Sequence, residues 1–159
     1  MARTLSTVAK RAIYSSESGE VFVVLLTIDH PDFLLPIRVG SDAVQVTSDG
    51  NVHLPYPFRV SMPSELEDRL PEVTLEIDNV DRQIVDAVRS VGGSPMTVTM
   101  KVVLASSPNV IEAGPIEFTL RDVSYDASVV QGSLGFDDPL NEPFPGDSFT
   151  PARFSGLFT

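Results

Sequence analysis

The sequence contains no cysteine and no tryptophan, and only two of its 159 residues are histidine. Without cysteine the chain cannot form a disulfide framework, a zinc–thiolate site, an iron–sulfur cluster or a cysteine nucleophile. Basic residues are also scarce, since 11 Lys and Arg stand against 22 Asp and Glu and give a formal net charge of −11. Phosphates and anionic lipid heads repel that charge, which argues against sequence-independent binding to nucleic acid or to a membrane surface.

Long apolar segments are missing as well. The longest uninterrupted apolar run, residues 21–26, is far shorter than the roughly 20 residues that span a bilayer. Residues 1–14 lack the apolar core of a secretory signal. We therefore expect no membrane insertion and a protein that is made and assembled in the cytoplasm. With 42% hydrophobic and 21% charged residues, the composition suits one folded domain.

Residues 1–19 predict a helix followed by a linker. Apolar side chains recur at helical spacing from Leu5 through Val8 to Ile13, and a cluster of turn residues at 15–19 ends the pattern. Two interpretations stay open. The helix packs on its own domain, or it docks as an arm onto a neighbouring subunit.

Residues 20–135 indicate a β domain. The β-branched and aromatic residues at 21–28 predict a strand buried on both faces, and residues 33–39 should return antiparallel to it after a turn at 30–32. A short strand at 43–47, with Val44 and Val46 on one face, leads to a hairpin turn at 48–51, where Asp-Gly tolerates positive φ. Residues 56–61 predict an edge strand, because proline has no amide hydrogen to donate.

A strand followed by a capped helix is predicted next, with the helix inserted near residues 80–90. Residues 72–78 alternate between apolar and polar side chains, which indicates a strand. Asn79 is placed to cap a helix over residues 81–90, with Asp81 in its first turn and Gly92-Gly93 after its end. The apolar stripe of this helix is Ile84, Val85 and Val88.

The rest of the domain predicts further β structure. Residues 96–104 form a long strand, residues 105–114 a loop, residues 115–127 a strand with Phe118 and Leu120 on one face, and residues 128–136 one more strand. The total is about eight strands and two helices at spacings typical of an antiparallel barrel or sandwich. We therefore predict a mainly β fold, an antiparallel β-barrel or sandwich with one or two short helices.

Residues 136–159 have a different composition and predict an extended C-terminal arm. Four prolines in this segment disfavour helix and central strand. Because exposed aromatic side chains promote aggregation, we expect the arm to occupy a groove, either on its own domain or on another subunit. The phenylalanines of the arm are Phe136, Phe144, Phe149, Phe154 and Phe158.

No motif of catalysis or metal binding is present. His30 and His53 each lie beside a proline-containing turn, outside any His-x-x-x-His pattern, and are predicted to be surface loop histidines. The acidic residues at 137–147 lack the spacing of a calcium loop and indicate a solvated acidic segment. We expect no cofactor, no metal site and no enzymatic activity.

The segment LEIDNVDRQI at residues 75–84, followed by AVR at 87–89, resembles a pattern of minor tail proteins in tailed bacteriophages. In those proteins a strand ends in an Ile-Asp-Asn-Val turn that leads into a short helix. MTVTMKVVLA at 96–105 and NVIEAGP at 109–115 continue the resemblance. It covers residues 20–130 and leaves the N-terminal helix and the C-terminal arm outside.

The resemblance implies a structural virion protein in the tail tip, or baseplate, of a non-contractile siphophage tail. The implied fold is a β-barrel or sandwich of the tail-tube type with a flanking helix, arranged as a ring around the DNA channel. A hexamer, which matches the tail tube, is favoured over a trimer. The implied partners are copies of the chain itself, the tail tube, and the tape-measure and hub proteins, while DNA passes through the lumen without specific binding. The expected intermolecular contacts are Leu5, Val8 and Ile13 in the helix and the five phenylalanines of the arm.

Two other functions remain as alternatives. A carbohydrate- or cell-surface-binding β-sandwich would need an exposed aromatic platform, for which the chain offers only Tyr14, Tyr56 and Tyr125. A tail-associated hydrolase is the third hypothesis. If the chain forms a ring around DNA, its negative charge lets DNA slide, so we expect carboxylates on the inner face and Lys and Arg outside or in subunit contacts.

Overall fold

The computed structural model describes residues 5–61, 73–78, 83–91, 94–126 and 128–135. Within these residues the chain forms two short helices and nine strands. The helices are α1 (Thr7–Tyr14) and α2 (Gln83–Ser90), and the strands are β1 (Phe22–Asp29), β2 (Ile37–Gly40), β3 (Val46–Ser48), β4 (Asn51–Pro55), β5 (Phe58–Ser61), β6 (Val73–Asp78), β7 (Met96–Leu104), β8 (Ser107–Tyr125) and β9 (Val129–Gly135). The predicted mainly β fold with short helices is confirmed.

The strands form one sheet in the order β3-β4-β2-β1-β7-β8-β9-β6-β5. All neighbouring pairs are antiparallel except β2 and β4, which are parallel. The antiparallel return of β2 onto β1 agrees with the prediction, although β2 begins at Ile37, later than expected. The predicted edge position of β5 is also confirmed, because β5 is the last strand of the sheet.

The sheet curls until its two ends meet on one segment of chain. β4 lies near one end of the sheet and β5 at the other, yet only Tyr56 and Pro57 separate them. The amide of Tyr56 donates to the carbonyl of Gly40 at 3.3 Å, and the carbonyl of Pro57 accepts from the amide of Asp78 at 3.0 Å. This segment therefore contacts β2 on one side and β6 on the other, as in a closed barrel.

The main hydrophobic core lies inside the curled sheet, with α2 packed into it. β1 contributes Leu26 and Ile28 to this core, and β8 contributes Phe118 and Leu120. The predicted apolar stripe of α2 is confirmed, because Ile84, Val85 and Val88 are all buried there. The helix has this stripe on one side only, so packing on the inner face of the sheet removes it from water.

The β3–β4 hairpin covers the opposite face of the sheet and forms a second, smaller core. Val46 of β3 packs with Val23, Leu25 and Val103, which point away from the main core. β1 is therefore buried on both faces, as predicted from its continuous apolar sequence. The predicted hairpin turn is confirmed too, because Asp49 and Gly50 have φ values of 51° and 76°.

Two predictions about the strands are wrong. The expected strand at 43–47 with Val44 and Val46 on one face begins only at Val46, and Val44 lies before it with 63% of its surface exposed. The expected loop at 105–114 is a turn at Ala105 and Ser106, after which β8 starts at once. The register of β7 and β8 shifts several times in this region, so bulges absorb the extra residues without breaking the pairing.

Several sequence predictions lie outside the described residues. They are the cap at Asn79, Asp81 in the first helical turn, Gly92-Gly93 after the helix, and the arm at 136–159 with its five phenylalanines.

Candidate interaction surfaces

The helix α1 carries the predicted contact residues that the structure describes. Val8 and Ile13 are 49% and 54% exposed, while Leu5 is half-buried. Within α1, Ala9 is the one residue that is fully buried. The helix thus rests on the domain along a narrow line and leaves two large apolar side chains uncovered. The other predicted contacts, in the arm, lie outside the described residues.

The start of α1 is attached to β8 through a buried carboxylate. Glu112 accepts a hydrogen bond from the amide of Ser6 at 2.8 Å, and the Ser6 hydroxyl caps the helix by accepting from the amide of Ala9 at 3.0 Å. A negative charge at a helix N-terminus is favoured by the helix dipole. The second oxygen of Glu112, Oε1, is buried without a hydrogen bond.

A second surface lies on the loop between β1 and β2 and on the neighbouring strand β4. Leu34 is 100% exposed and Leu35 is 77% exposed. Leu35 lines a groove of about 250 Å³ together with Arg38, Val52 and Leu54. We call this the β2–β4 groove. Apolar side chains gathered in this way on the surface of a folded domain are typical of a contact site.

A polar cluster fixes the β3–β4 hairpin to the sheet. Lys101 Nζ donates to the hydroxyl of Ser48 at 2.8 Å and to Asp49 Oδ2 at 3.0 Å. Ser48 in turn donates to the carbonyl of Pro108 at 2.6 Å, and Asn109 Oδ1 accepts from the amide of Asp49 at 2.8 Å. A serine beside a lysine can act as a nucleophile with its base. Here Ser48 is completely buried and the lysine is held by a carboxylate, so the pair anchors the hairpin.

Both histidines were predicted to lie on the surface, and both predictions are wrong. His53 is only 2% exposed, because it points from β4 into the space under the hairpin, and neither ring nitrogen has a hydrogen-bond partner. Burial, and then the charge of Lys101, hold the pKa of His53 below its ordinary value of 6.5. The backbone carbonyls of Asn51 and Val46 act in the opposite direction and raise the pKa, but neither reaches hydrogen-bond geometry with the ring.

His30 is buried for a different reason. It begins the turn after β1, where Nδ1 accepts from the amide of Asp32 at 3.1 Å and the ring packs against Phe33 with centroids 5.6 Å apart. Its exposed fraction is 9%. The imidazole therefore stabilises the turn that presents Leu34 and Leu35.

A cleft of about 440 Å³ lies between α2 and β8. Arg89 stacks on the ring of Tyr125 at 5.0 Å and donates from Nε to its hydroxyl at 3.3 Å. Arg121 and Asp122 also line the cleft. Tyr125 is 43% exposed, so part of its ring remains open to a ligand.

The described residues contain no group of three or more His, Cys, Asp or Glu side chains placed to hold a metal ion. Across the same ranges, neither of the two eight-residue helices is long and apolar enough to cross a membrane.

The sequence does not identify the residues that attach the β3–β4 hairpin and the helix α1 to the sheet. Ser48, Lys101 and Glu112 meet their partners across more than 50 positions of sequence, so no local spacing marks them. The sequence could indicate them only through their chemistry. A lysine and a glutamate within long β-rich segments need a polar or charged partner when they are buried. Leu34 and Leu35 follow a turn and could have been recognised as an apolar pair in a loop.

The fold and its surfaces define a small mainly β-barrel domain with uncovered apolar contact surfaces. A family model described as a domain of unknown function, DUF1833, matches residues 8–149, and the chain belongs to that family. No curated protein matches the chain.

Proposed function

We propose that this protein is a structural component of a bacteriophage tail tip, where it forms a ring around the DNA channel and connects the tail tube to hub proteins. It acts through subunit contacts and not through catalysis. The exposed Leu34 and Leu35, next to the β2–β4 groove, are the observation that carries the contact role. The assignment to a phage tail rests on the resemblance of residues 20–130 to minor tail proteins.

The position of the surfaces supports a ring. The helix α1 is attached at β8, whereas the β2–β4 groove lies beyond β7 and β1 in the sheet. Two different surfaces on separate parts of one domain suit a heterologous contact, in which one face of a subunit meets another face of the next. Such contacts generate closed rings when the rotation between subunits closes.

The charge of the chain supports the passage of DNA. A formal net charge of −11 gives a ring with a strong excess of carboxylates. If carboxylates line the lumen, they repel the phosphates and let DNA move without binding.

Light scattering after size-exclusion chromatography tests the contact role of the arm. We expect the full-length chain to form an oligomer, hexameric or trimeric, and the chain ending at Gly135 to lose it. A full-length variant with the five arm phenylalanines changed to serine should behave like the truncated chain, while Ser148→Ala with Ser155→Ala should not. Equal sizes for all four proteins would contradict the arm role.

A second candidate function is binding of a carbohydrate at the cleft beside Tyr125. Tyr56 is buried and Tyr14 stands at the exposed end of α1, whereas Tyr125 is partly exposed and lines the cleft between α2 and β8, so Tyr125 is the candidate platform. A glycan array distinguishes this function from the ring. Binding that Tyr125→Ala removes and that deletion of residues 136–159 leaves intact would favour it.

A further inference from the structure

We propose that the C-terminal arm of one copy, residues 136–159, docks into the β2–β4 groove of a second copy. This inference rests on the proposed ring and names the contact that closes it. The groove is lined by side chains of the β1–β2 loop, β2, β4, the segment after β4 and α2, among which Leu35, Val52 and Leu54 are the exposed apolar ones and Arg38 is the charged one.

The groove is apolar and open. Leu35, Val52 and Leu54 are 77%, 44% and 39% exposed. They belong to three different points of the chain, the β1–β2 loop and two positions of β4, and the pairing of β2 with β4 brings them together. A partner that covers them must bring several apolar side chains at intervals along an extended segment.

The arm has that composition. Its five phenylalanines are spread over 24 residues, and the four prolines among them disfavour a helix. Fully extended, 24 residues reach about 80 Å. A domain of this length has a radius of gyration of roughly 15 Å, so the arm is long enough to reach a neighbouring copy.

The charges of the two partners are complementary. Arg38 makes no ion pair within the described part of the chain, although the sequence as a whole is strongly acidic. The arm contains four carboxylates and one arginine, and two of the carboxylates, Asp137 and Asp138, directly follow Phe136. An acidic and aromatic segment thus matches an apolar groove whose guanidinium has no ion pair among the described residues.

Gly135, the residue before the arm, lies at the end of the barrel that carries the β1–β2 loop. Gly135 pairs with Thr119, Thr119 with Thr97, and Thr97 with Asp29, so Gly135 lies level with the start of the β1–β2 loop. Leu34 and Leu35 lie in that loop. The arm therefore leaves each subunit at the same level as the groove that receives it.

The end of β9, from which the arm continues, and the groove lie on different sides of the barrel, which favours a neighbour over the same chain. Around the closed sheet, β9 is separated from β2 by β8, β7 and β1 in one direction and by β6 and the β5–β4 segment in the other. An arm that leaves one side and binds the opposite side of the next copy makes a head-to-tail contact. Repeated around an axis, that contact closes a ring.

The absence of cysteine allows the contact to be trapped directly. Leu54→Cys in one full-length copy is mixed with Phe144→Cys or, separately, Phe149→Cys in another, and the mixtures are oxidised. We expect a disulfide-linked heterodimer on a non-reducing gel with at least one arm variant. Ala105→Cys, on the exposed β7–β8 turn, is the matched control for the groove position and should give only background.

Substitution of the guanidinium tests the charge match in the same assay. Arg38→Glu should reduce the yield of the trapped heterodimer, while Arg121→Glu on β8 makes the same charge change away from the groove and should leave it unchanged. An equal effect of the two substitutions would overturn the role of Arg38.

The outcomes separate this contact from the proposed function. Rings of the full-length chain without trapping above background would overturn the docking and leave the ring function in place. Trapping only within a chain that carries both cysteines would assign the arm to its own groove and overturn the intermolecular contact. A chain that stays monomeric at every concentration would overturn the ring function itself.

Discussion

Lys101 joins the β3–β4 hairpin to the sheet through an ammonium group that is mostly buried. Its side chain is 15% exposed, and it donates to both Ser48 and Asp49. Next to it, His53 is buried without hydrogen bonds. The contact between the β3–β4 hairpin and the sheet thus combines Lys101, whose ammonium group is hydrogen-bonded, with His53, whose ring nitrogens are not. We therefore expect the two side chains to respond differently to mutation and to pH.

Replacing Lys101 by methionine tests the satisfied group. Lys101→Met keeps the aliphatic stem and removes both hydrogen bonds, so we expect the free energy of unfolding to fall by about 1–3 kcal/mol. Urea denaturation measures this change. Lys10→Met on the exposed side of α1 should stay within about 0.5 kcal/mol of the parent. Equal losses of unfolding free energy for Lys101→Met and Lys10→Met would contradict a stabilising role of the two hydrogen bonds that Lys101 donates.

The stability of the protein should fall at acidic pH through His53. Burial, reinforced by Lys101, keeps the pKa of His53 in the folded state below 6.5, while the unfolded chain takes up a proton near 6.5. Above about pH 6.5, His53 is neutral in both states and does not lower the free energy of unfolding. As the pH falls below that value, the unfolded chain takes up the proton more readily, so the free energy of unfolding decreases. The loss cannot exceed about 1.4 kcal/mol per pH unit for one proton.

The free energy of unfolding measured from pH 8 to pH 5 checks this expectation. His53→Leu removes the titrating group and keeps a side chain of similar size, so its pH dependence should be shallower than that of the parent. Parallel curves for the two proteins would assign the acid sensitivity to other groups.

The elements differ in how far the sequence determines them. β6 and α2 are predicted because each shows its own period, two for Val73, Leu75 and Ile77 and three to four for the helix. The first half of β8 is missed because Ser, Pro, Asn and Gly dominate it, and these residues favour turns when nothing else is known. Pairing with β7 overrides that local preference.

The same limit applies to the contact surfaces. Val8 and Ile13 are predicted as an apolar stripe, but the sequence does not show that only Ala9 becomes buried. The β2–β4 groove depends on a parallel pairing of two short strands, which leaves no periodic signal in either strand. Burial of His53 likewise follows from the hairpin folding over the sheet, which is a non-local event.

The bulged region of β8 requires a glycine at position 114. Its φ is 97°, and a Cβ atom there would lie 2.7 Å from the carbonyl oxygen of Met100. Gly114→Ala should therefore destabilise the protein by about 1–3 kcal/mol in urea denaturation. Gly19→Ala, which meets no atom within 4 Å, is the matched control and should change the free energy of unfolding by less than about 0.5 kcal/mol. A tolerated Gly114→Ala would mean that β8 can shift its register without loss.

At the scale of the whole molecule, the excess of negative charge and the uncovered apolar surfaces both affect how copies of the chain associate. A chain of net charge −11 repels its own copies, so stable association needs apolar contacts to offset that repulsion. Val8 and Ile13 on α1, together with Leu34 and Leu35, provide uncovered apolar area for this purpose. In a ring, most carboxylates would then face the lumen or the solvent, and the few basic residues would lie outside or in the contacts.

Electron cryo-microscopy of the assembled full-length protein tests this account most directly. We expect a closed ring, sixfold or threefold, with carboxylates on its inner face and the arm of each subunit on the next. A protein that remains monomeric at every concentration, or a ring whose lumen is lined by Lys and Arg, would contradict the account.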